Sequence, residues 1–292
     1  MKKRKIKRSI TPYILLVPFL LLMGLFSAGI INAVIQSFGY IPAFDLNHFT
    51  WDYYKEIFID GKYMQSIGYS LWIAGVSSAG SIILGIMLCV ILLSVKKRSR
   101  LGRFSKTLVN LPVVTPHTIV ALFVISLFSG SGLLSRILYA LGAIAQPEEL
   151  APLLYDANGF GVILAYLWKE IPFVCMFVMT VMANISETYN EAAYGLGAGR
   201  LKTFLFVTLP LCRPTIVGAF FIIFTYSFGA YELPFLLGST KPKALPVQSF
   251  IEYTHPDLRH RPYAMVLNVL MIAIGLIASA VYFRLLEKKA KG

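Results

Sequence analysis

Three ionisable side chains lie inside long apolar stretches: Lys169 and Glu170, adjacent in one stretch, and Glu232 in another. A charge held in hydrocarbon costs about 2.5–3.5 kcal/mol on insertion scales unless it is paired or hydrated. Such residues therefore either line a polar path or form an ion pair between helices. Neighbours on a helix project roughly 100° apart, so Lys169 and Glu170 cannot share one face. At 1.5 Å of rise per residue, Lys169 sits about 13 Å and Glu232 about 9 Å below the same ends of their stretches, depths that suit a mutual pair. His117, with Thr115 and Thr118 beside Pro116, adds polar groups to a third stretch, as Tyr226, Ser227 and Tyr231 do beside Glu232. His117, Lys169, Glu170, Tyr226, Tyr231 and Glu232 are thus candidates for lining a path, with hydrogen bonding between helices as the structural alternative. Cys89, Cys175 and Cys212 lie in or beside apolar stretches without CxxC spacing and read as small buried apolar residues. His48, His255 and His260 stand apart in polar segments and read as solvated. No triad, metal cluster or pair of catalytic carboxylates is visible, so the chain does not read as an enzyme. A Gly-x-x-x-x-Gly-Lys-Ser/Thr loop is also missing, so nucleotide phosphates have no cradle.

The elements that must hold these residues are membrane spans. Of the 292 residues, 57% are hydrophobic and 14% charged, against roughly 25% charged in an average soluble domain. About 20 apolar residues cross a bilayer as a helix, and six stretches qualify: about 12–35, 69–93, 108–127, 160–183, 214–237 and 264–285. Helices are required there because lipid offers backbone groups no partner, and the alternating ten-residue segments of a β-barrel do not occur. The predicted fold is an all-α membrane protein with six transmembrane helices. A basic N-terminal run before the first stretch resembles a signal peptide, but the uncharged stretch from Ser9 to Phe44 is too long for one and reads as a retained span.

A net charge of +13 would suit nucleic acid, but the basic residues cluster in short runs beside the spans, at residues 2–8 and 96–106. That placement fits loops facing anionic lipid on the cytoplasmic side. With the N-terminus inside, the internal segments hold nineteen Lys or Arg and the external ones seven. Both termini are therefore expected in the cytoplasm. Most acids, among them Glu148, Glu149 and Glu252, then fall in external loops where a partner could dock. No internal repeat supports an inverted-repeat secondary transporter.

Between the fourth and fifth spans the internal loop reads Glu191-Ala192-Ala193-Tyr194-Gly195-Leu196-Gly197-Ala198-Gly199-Arg200, and closes at Leu209-Pro210. Glu191, Ala192 and Ala193 can begin a short helix, where a first-turn acid is favoured by the macrodipole. Small residues at 193, 195, 197, 198 and 199 allow a close turn and tight packing against another body, with Gly197 in a turn that a bulkier residue would fill. Phe204, Val207 and Leu211 follow at helical spacing. A short helix-turn-helix of this kind suits docking by a soluble partner.

This loop resembles the EAA loop of binding-protein-dependent ABC transporter permeases, the MetI-like inner-membrane components. Their pattern is E-A-A, three residues, G, nine residues, I, then x-L-P. Here Gly197 follows the triplet by three residues, Val207 stands where Ile is usual, and Leu209-Pro210 closes it. Trp168-Lys169 with Pro172-Phe173 is similar to the family's W-x-x-x-P-F. The resemblance implies a type I ABC importer permease fold, with residues 1–65 as tail, first span and external loop, 66–285 as the core with an EAA loop at about 187–213, and 286–292 as a tail. It also implies that Glu191, Ala192, Ala193, Gly197, Ala198, Leu209 and Pro210 dock the ATPase, two copies of which act with a second permease subunit and a substrate-binding protein. ATP and Mg would be used by the ATPase, and the chain itself would bind no cofactor or nucleic acid. The location would be the bacterial cytoplasmic (inner) membrane. Leu196 stands before Gly197 where sugar permeases usually carry Asp, and residues 228–238 are similar to the fifth span of polyamine-type permeases. The resemblance therefore points to the polyamine, iron, phosphonate and sulfate branches, with a sugar permease as the alternative. From another class, an ion-coupled secondary transporter would use Lys169, Glu170 and Glu232 as a relay.

Overall fold

The computed structural model describes residues 11–94, 109–146, 153–182, 185 and 187–290. The basic runs at 2–8 and 96–106, and the acids Glu148 and Glu149, lie outside the described residues. Among those described, helices dominate, as apolar stretches in lipid require. They are α1 (Thr11–Ser37), α2 (Asp52–Ile59), α3 (Gly61–Ser94), α4 (His117–Phe128), α5 (Leu133–Ala140), α6 (Phe160–Met182) and α7 (Glu187–Gly195). After them come α8 (Arg200–Leu211), α9 (Arg213–Gly229), α10 (Glu232–Leu237), α11 (Leu245–Tyr253) and α12 (Arg261–Ala290).

Five helical segments are long and apolar enough to cross a membrane, and a bent pair makes a sixth. The first, second, fourth and sixth expected spans correspond to α1, α3, α6 and α12. The third differs from expectation. Residues 109–114 are helical, the chain breaks at 115–116, and the span continues through α4 into α5. Pro116 explains the break, because it has no N–H and constrains the residue before it. The fifth also differs: α9 stops at Gly229, Ala230 is extended, and residues 232–237 form a separate short helix. At its other end α9 meets α8 at a 67° bend.

α3 packs along α6 and α9 and forms the centre of the bundle. Small residues set how closely it approaches α6. A Cβ at Gly85 would lie 2.7 Å from the Val174 side chain and 3.0 Å from the Ile171 carbonyl oxygen, and one at Gly80 would lie 2.9 Å from Leu167. Three apolar clusters fill the interior. One joins α3, α4, α6, α10 and α11 around Tyr166, Val162 and Leu237. A second holds Cys89, Cys175 and Cys212 with Val174 and Ile223, so all three cysteines are core residues, as expected. A third, around Ile57, Leu245 and Leu267, ties α2 and α11 to α12. α1 leans mainly on α12, touches α2 through the Ser37–Tyr54 hydrogen bond at 2.8 Å, and leaves most of its apolar surface outward.

Candidate functional site: a polar cluster within the bundle and an exposed loop at one end

α4, α6 and α9 bring together residues that lie far apart in the chain. The Tyr226 hydroxyl is 3.1 Å from Nε2 and 3.2 Å from Nδ1 of His117. Nε2 of His117 is 4.0 Å from Oε1 of Glu170. Tyr166, one turn before Glu170 on the same face of α6, meets the Tyr226 ring edge-on at 6.5 Å between centroids. Tyr166 is fully buried, yet its hydroxyl has no hydrogen-bond partner among the described residues. An orphaned phenol of this kind calls for a partner from outside the chain, such as water or cargo. Glu170 is likewise buried. The site thus presents a carboxylate, two aromatic rings and an imidazole.

Sequence reasoning named His117, Glu170 and Tyr226 and missed Tyr166, although the i, i+4 spacing to Glu170 would have pointed to it. The other three candidates make different direct contacts, although Glu232 stays within electrostatic reach of Tyr166 and Tyr226. Lys169 does not pair with Glu232. Its Nζ donates to the carbonyl oxygens of Thr115 at 2.5 Å and of Pro112 and Val113 at 3.4 Å each, at the break before α4. Glu232 opens α10 and is exposed, because the fifth span ends before it instead of running past it. Tyr231 stacks on Phe235 at 4.9 Å and leans on Phe250 at 5.1 Å, in a separate aromatic group against α11.

The motif loop has a defined form. α7 begins at Glu187, a turn earlier than expected, so Glu191 lies beyond its first turn and the dipole argument does not apply to it. Its end is a Schellman motif: the Ala198 amide bonds the Ala193 carbonyl at 3.0 Å, and the Gly197 amide bonds that of Tyr194 at 2.9 Å. Gly197 takes φ +82°, the left-handed conformation, and a Cβ there would meet nothing within 4 Å. The glycine is therefore required by backbone conformation and not by crowding, which corrects the expectation of a filled turn. Ala193 is buried under the turn, while Glu191 and Ala192 are exposed and Ala198 is partly so. α8 contains a π turn from Phe204 to Thr208, with the Leu209 amide bonded to the Phe204 carbonyl, and Pro210 follows on the surface. Leu196 is 89% and Phe206 77% exposed, alongside the exposed Glu191, Arg200 and Lys202.

A second polar cluster, at the end of the bundle where the start of α3 meets α11, was not foreseen. The buried Glu252 carboxylate accepts from Lys62 Nζ and Gln248 Nε2 at 2.8 Å each, and lies 2.9 Å from His260 Nδ1. Burial alone would raise this carboxyl, but the bonds from Lys62 and His260, the Lys62 charge and a bond from Tyr63 outweigh it and hold Glu252 below the ordinary carboxylate range. His260 also stacks on His255 at 3.7 Å, so neither is the isolated solvated residue expected. The Tyr263 hydroxyl bonds Glu56 nearby.

Comparison with known proteins places this architecture. Residues 81–292, well over half of the chain, match the family model described as "Binding-protein-dependent transport system inner membrane component". The putrescine transport system permease protein PotI of Escherichia coli K12 is 26% identical over 203 residues, covering 68% of this chain and 64% of that protein. The sulfate transport system permease protein CysT of Salmonella typhimurium is 24% identical, covering 80% and 79%. Relatives named for sulfoquinovosyl glycerol and ferric transport align at 25% and 27% identity, so identity at this level assigns no cargo. In fold, the chain is similar to a bacterial ABC transporter involved in the import of the acidic polysaccharide alginate, with a TM-score of 0.79 at 20% identity, covering 96% of this chain and 98% of that one. With five or six segments apolar and long enough to cross a membrane, the motif loop and the family match in agreement, the chain belongs to the binding-protein-dependent ABC importer permeases, multi-pass components of the inner membrane.

Proposed function

We propose that this permease forms the translocation path for a small cationic solute of the polyamine type, and that residues 187–211 transmit the motion of a partner ATPase to that path. The observation that carries the reading is the convergence of Glu170, Tyr166, Tyr226 and His117 from three helices onto one polar spot, with Glu170 and Tyr166 buried and Tyr226 open. A carboxylate beside two aromatic faces suits an ammonium group, through charge and cation–π attraction. Lys169, adjacent in sequence, bonds backbone carbonyls and makes no direct ion pair with the Glu170 carboxylate, although its charge still acts on it. Leu196, held out by the Gly197 turn, is the apolar anchor of the coupling contact. On this reading two ATPase subunits consume ATP and Mg, a second permease subunit completes the path, and a soluble binding protein delivers the cargo from the opposite side.

The test is uptake by the reconstituted complex with a panel of putrescine, methylphosphonate, ferric ion, sulfate and a disaccharide. Putrescine uptake should fall about tenfold or more in Glu170→Gln, since a bond to a charged group contributes about 1.5–3 kcal/mol. Uptake of the disaccharide alone would establish the sugar alternative, in which Tyr166 and Tyr226 stack on a ring. Unchanged putrescine uptake in Glu170→Gln would remove the cluster from the path.

A further inference from the structure

The carbonyl groups held by Lys169 lie at the break in the third span, and that of Pro112 also takes the Thr115 amide at 3.3 Å. Pro116 has no N–H to return to Pro112. The next turn starts instead from the Pro116 carbonyl, which takes the amides of Ile119 at 3.1 Å and Val120 at 3.2 Å. Residues 109–114 therefore end as a helix C-terminus within the bundle, with oxygens gathered at the negative end of the helix dipole. In transporters with broken spans, such gathered carbonyls hold a monovalent cation. Here the cation is a side chain, reaching over from α6 to three oxygens at 2.5, 3.4 and 3.4 Å. The very next residue after the break is His117, which meets Tyr226 and lies beside Glu170.

We propose that Lys169 is a tethered cation that occupies the carbonyl cage of Pro112, Val113 and Thr115, and so locks the start of α4 and positions His117 in the polar cluster. It is a positioning residue that touches no cargo. Its ammonium takes the place of the bound ion that an ion-coupled transporter would require there, in keeping with a machine driven from a separate subunit. The cage needs no particular cargo, because the backbone break and the three Lys169 contacts define it.

The experiment is hydrogen–deuterium exchange by mass spectrometry on the assembled complex, read at the amides of residues 117–120 with residues 162–168 as internal reference. Lys169→Met should raise exchange at 117–120 by tenfold or more and leave the reference unchanged. Lys169→Arg should keep wild-type protection. In Lys169→Ala, which leaves a side-chain void, millimolar propylammonium should restore protection, whereas tetramethylammonium, which cannot donate hydrogen bonds, should not. Lys169→Gln, a neutral donor of similar reach, provides a second variant should the methionine variant fail to assemble, and should also raise exchange. Wild-type exchange at 117–120 in either neutral variant overturns the proposal, as does failure of both arginine and propylammonium to restore protection. Exchange that moves as expected while Glu170→Gln has no effect on putrescine uptake would uphold the cage and reject the cargo reading.

Discussion

Glu252→Gln measures the ion pair that the structure contains in place of the expected Lys169–Glu232 pair. The Glu252 side chain is 3% exposed and the Lys62 side chain 51%, with Nζ and Oε1 2.8 Å apart. Breaking a buried pair costs about 3–5 kcal/mol when the remaining charge is trapped. The Lys62 ammonium can return to water, which sets Glu252→Gln at the lower edge, about 3 kcal/mol. Lys62→Met removes one charge-assisted bond and leaves those of Gln248 and His260 in place, a loss of about 2 kcal/mol. At roughly 2 °C per kcal/mol for a chain of this size, Tm should fall by roughly 6 and 4 °C. In the double variant the losses should fall short of their sum by about 1 kcal/mol or more, because the second change removes a partner already lost. The assay is thermal unfolding of the detergent-solubilised complex across pH. The folded Glu252 carboxyl lies below its ordinary range, so its contribution is fully present above the unfolded value of about 4.3. It is lost as pH falls through the lower folded value, and the gap between wild type and Glu252→Gln should close there. Losses that add within about 0.5 kcal/mol, or a gap that widens in acid, would refute the pairing.

Two further predictions concern the loop and the orientation. Gly197→Ala adds a methyl group into open space at φ +82°, so its penalty is purely conformational, about 1–2 kcal/mol. It should lower coupled ATP hydrolysis without loss of assembly, with Gly197→Asn much milder; equal effects in both would point to crowding instead. Cysteines substituted for Leu150 and Lys202 should label from opposite sides of the membrane with an impermeant maleimide, Leu150→Cys from outside, and reversed labelling would overturn the charge-bias orientation.

Much of the fold was legible because lipid imposes a single rule on backbone, so apolar length alone locates α1, α3, α6 and α12. The two expected spans that differ contain prolines or a Gly-Ala pair, and hydropathy averages over such breaks. Pro116 was noted for its polar neighbours, but its missing N–H also predicts the break there. Gly229-Ala230 ahead of Pro234 marks the end of α9 in the same way. Of the path candidates, His117, Glu170 and Tyr226 converge where α4, α6 and α9 face one another, while Tyr231 joins another group and Glu232 opens α10 once the fifth span ends early. Lys169 was recognised as needing a partner, and hydropathy could not show that the partner would be backbone. Lys62 and Glu252 lie 190 residues apart, and nothing local to either residue signals the other. Gly197 was identified by motif spacing, and only its φ separates a conformational requirement from a steric one.

Reconstitution into proteoliposomes tests most directly whether a separate ATPase drives this permease through residues 187–211. Vesicles holding the permease, its ATPase and loaded binding protein are assayed for uptake with ATP and no ion gradient, then with a sodium or proton gradient and no ATPase. Uptake in the first condition only, abolished by Leu196→Asp at the exposed tip of the turn, is the predicted result. Uptake in the second condition, with the ATPase absent, would contradict the account and identify an ion-coupled transporter.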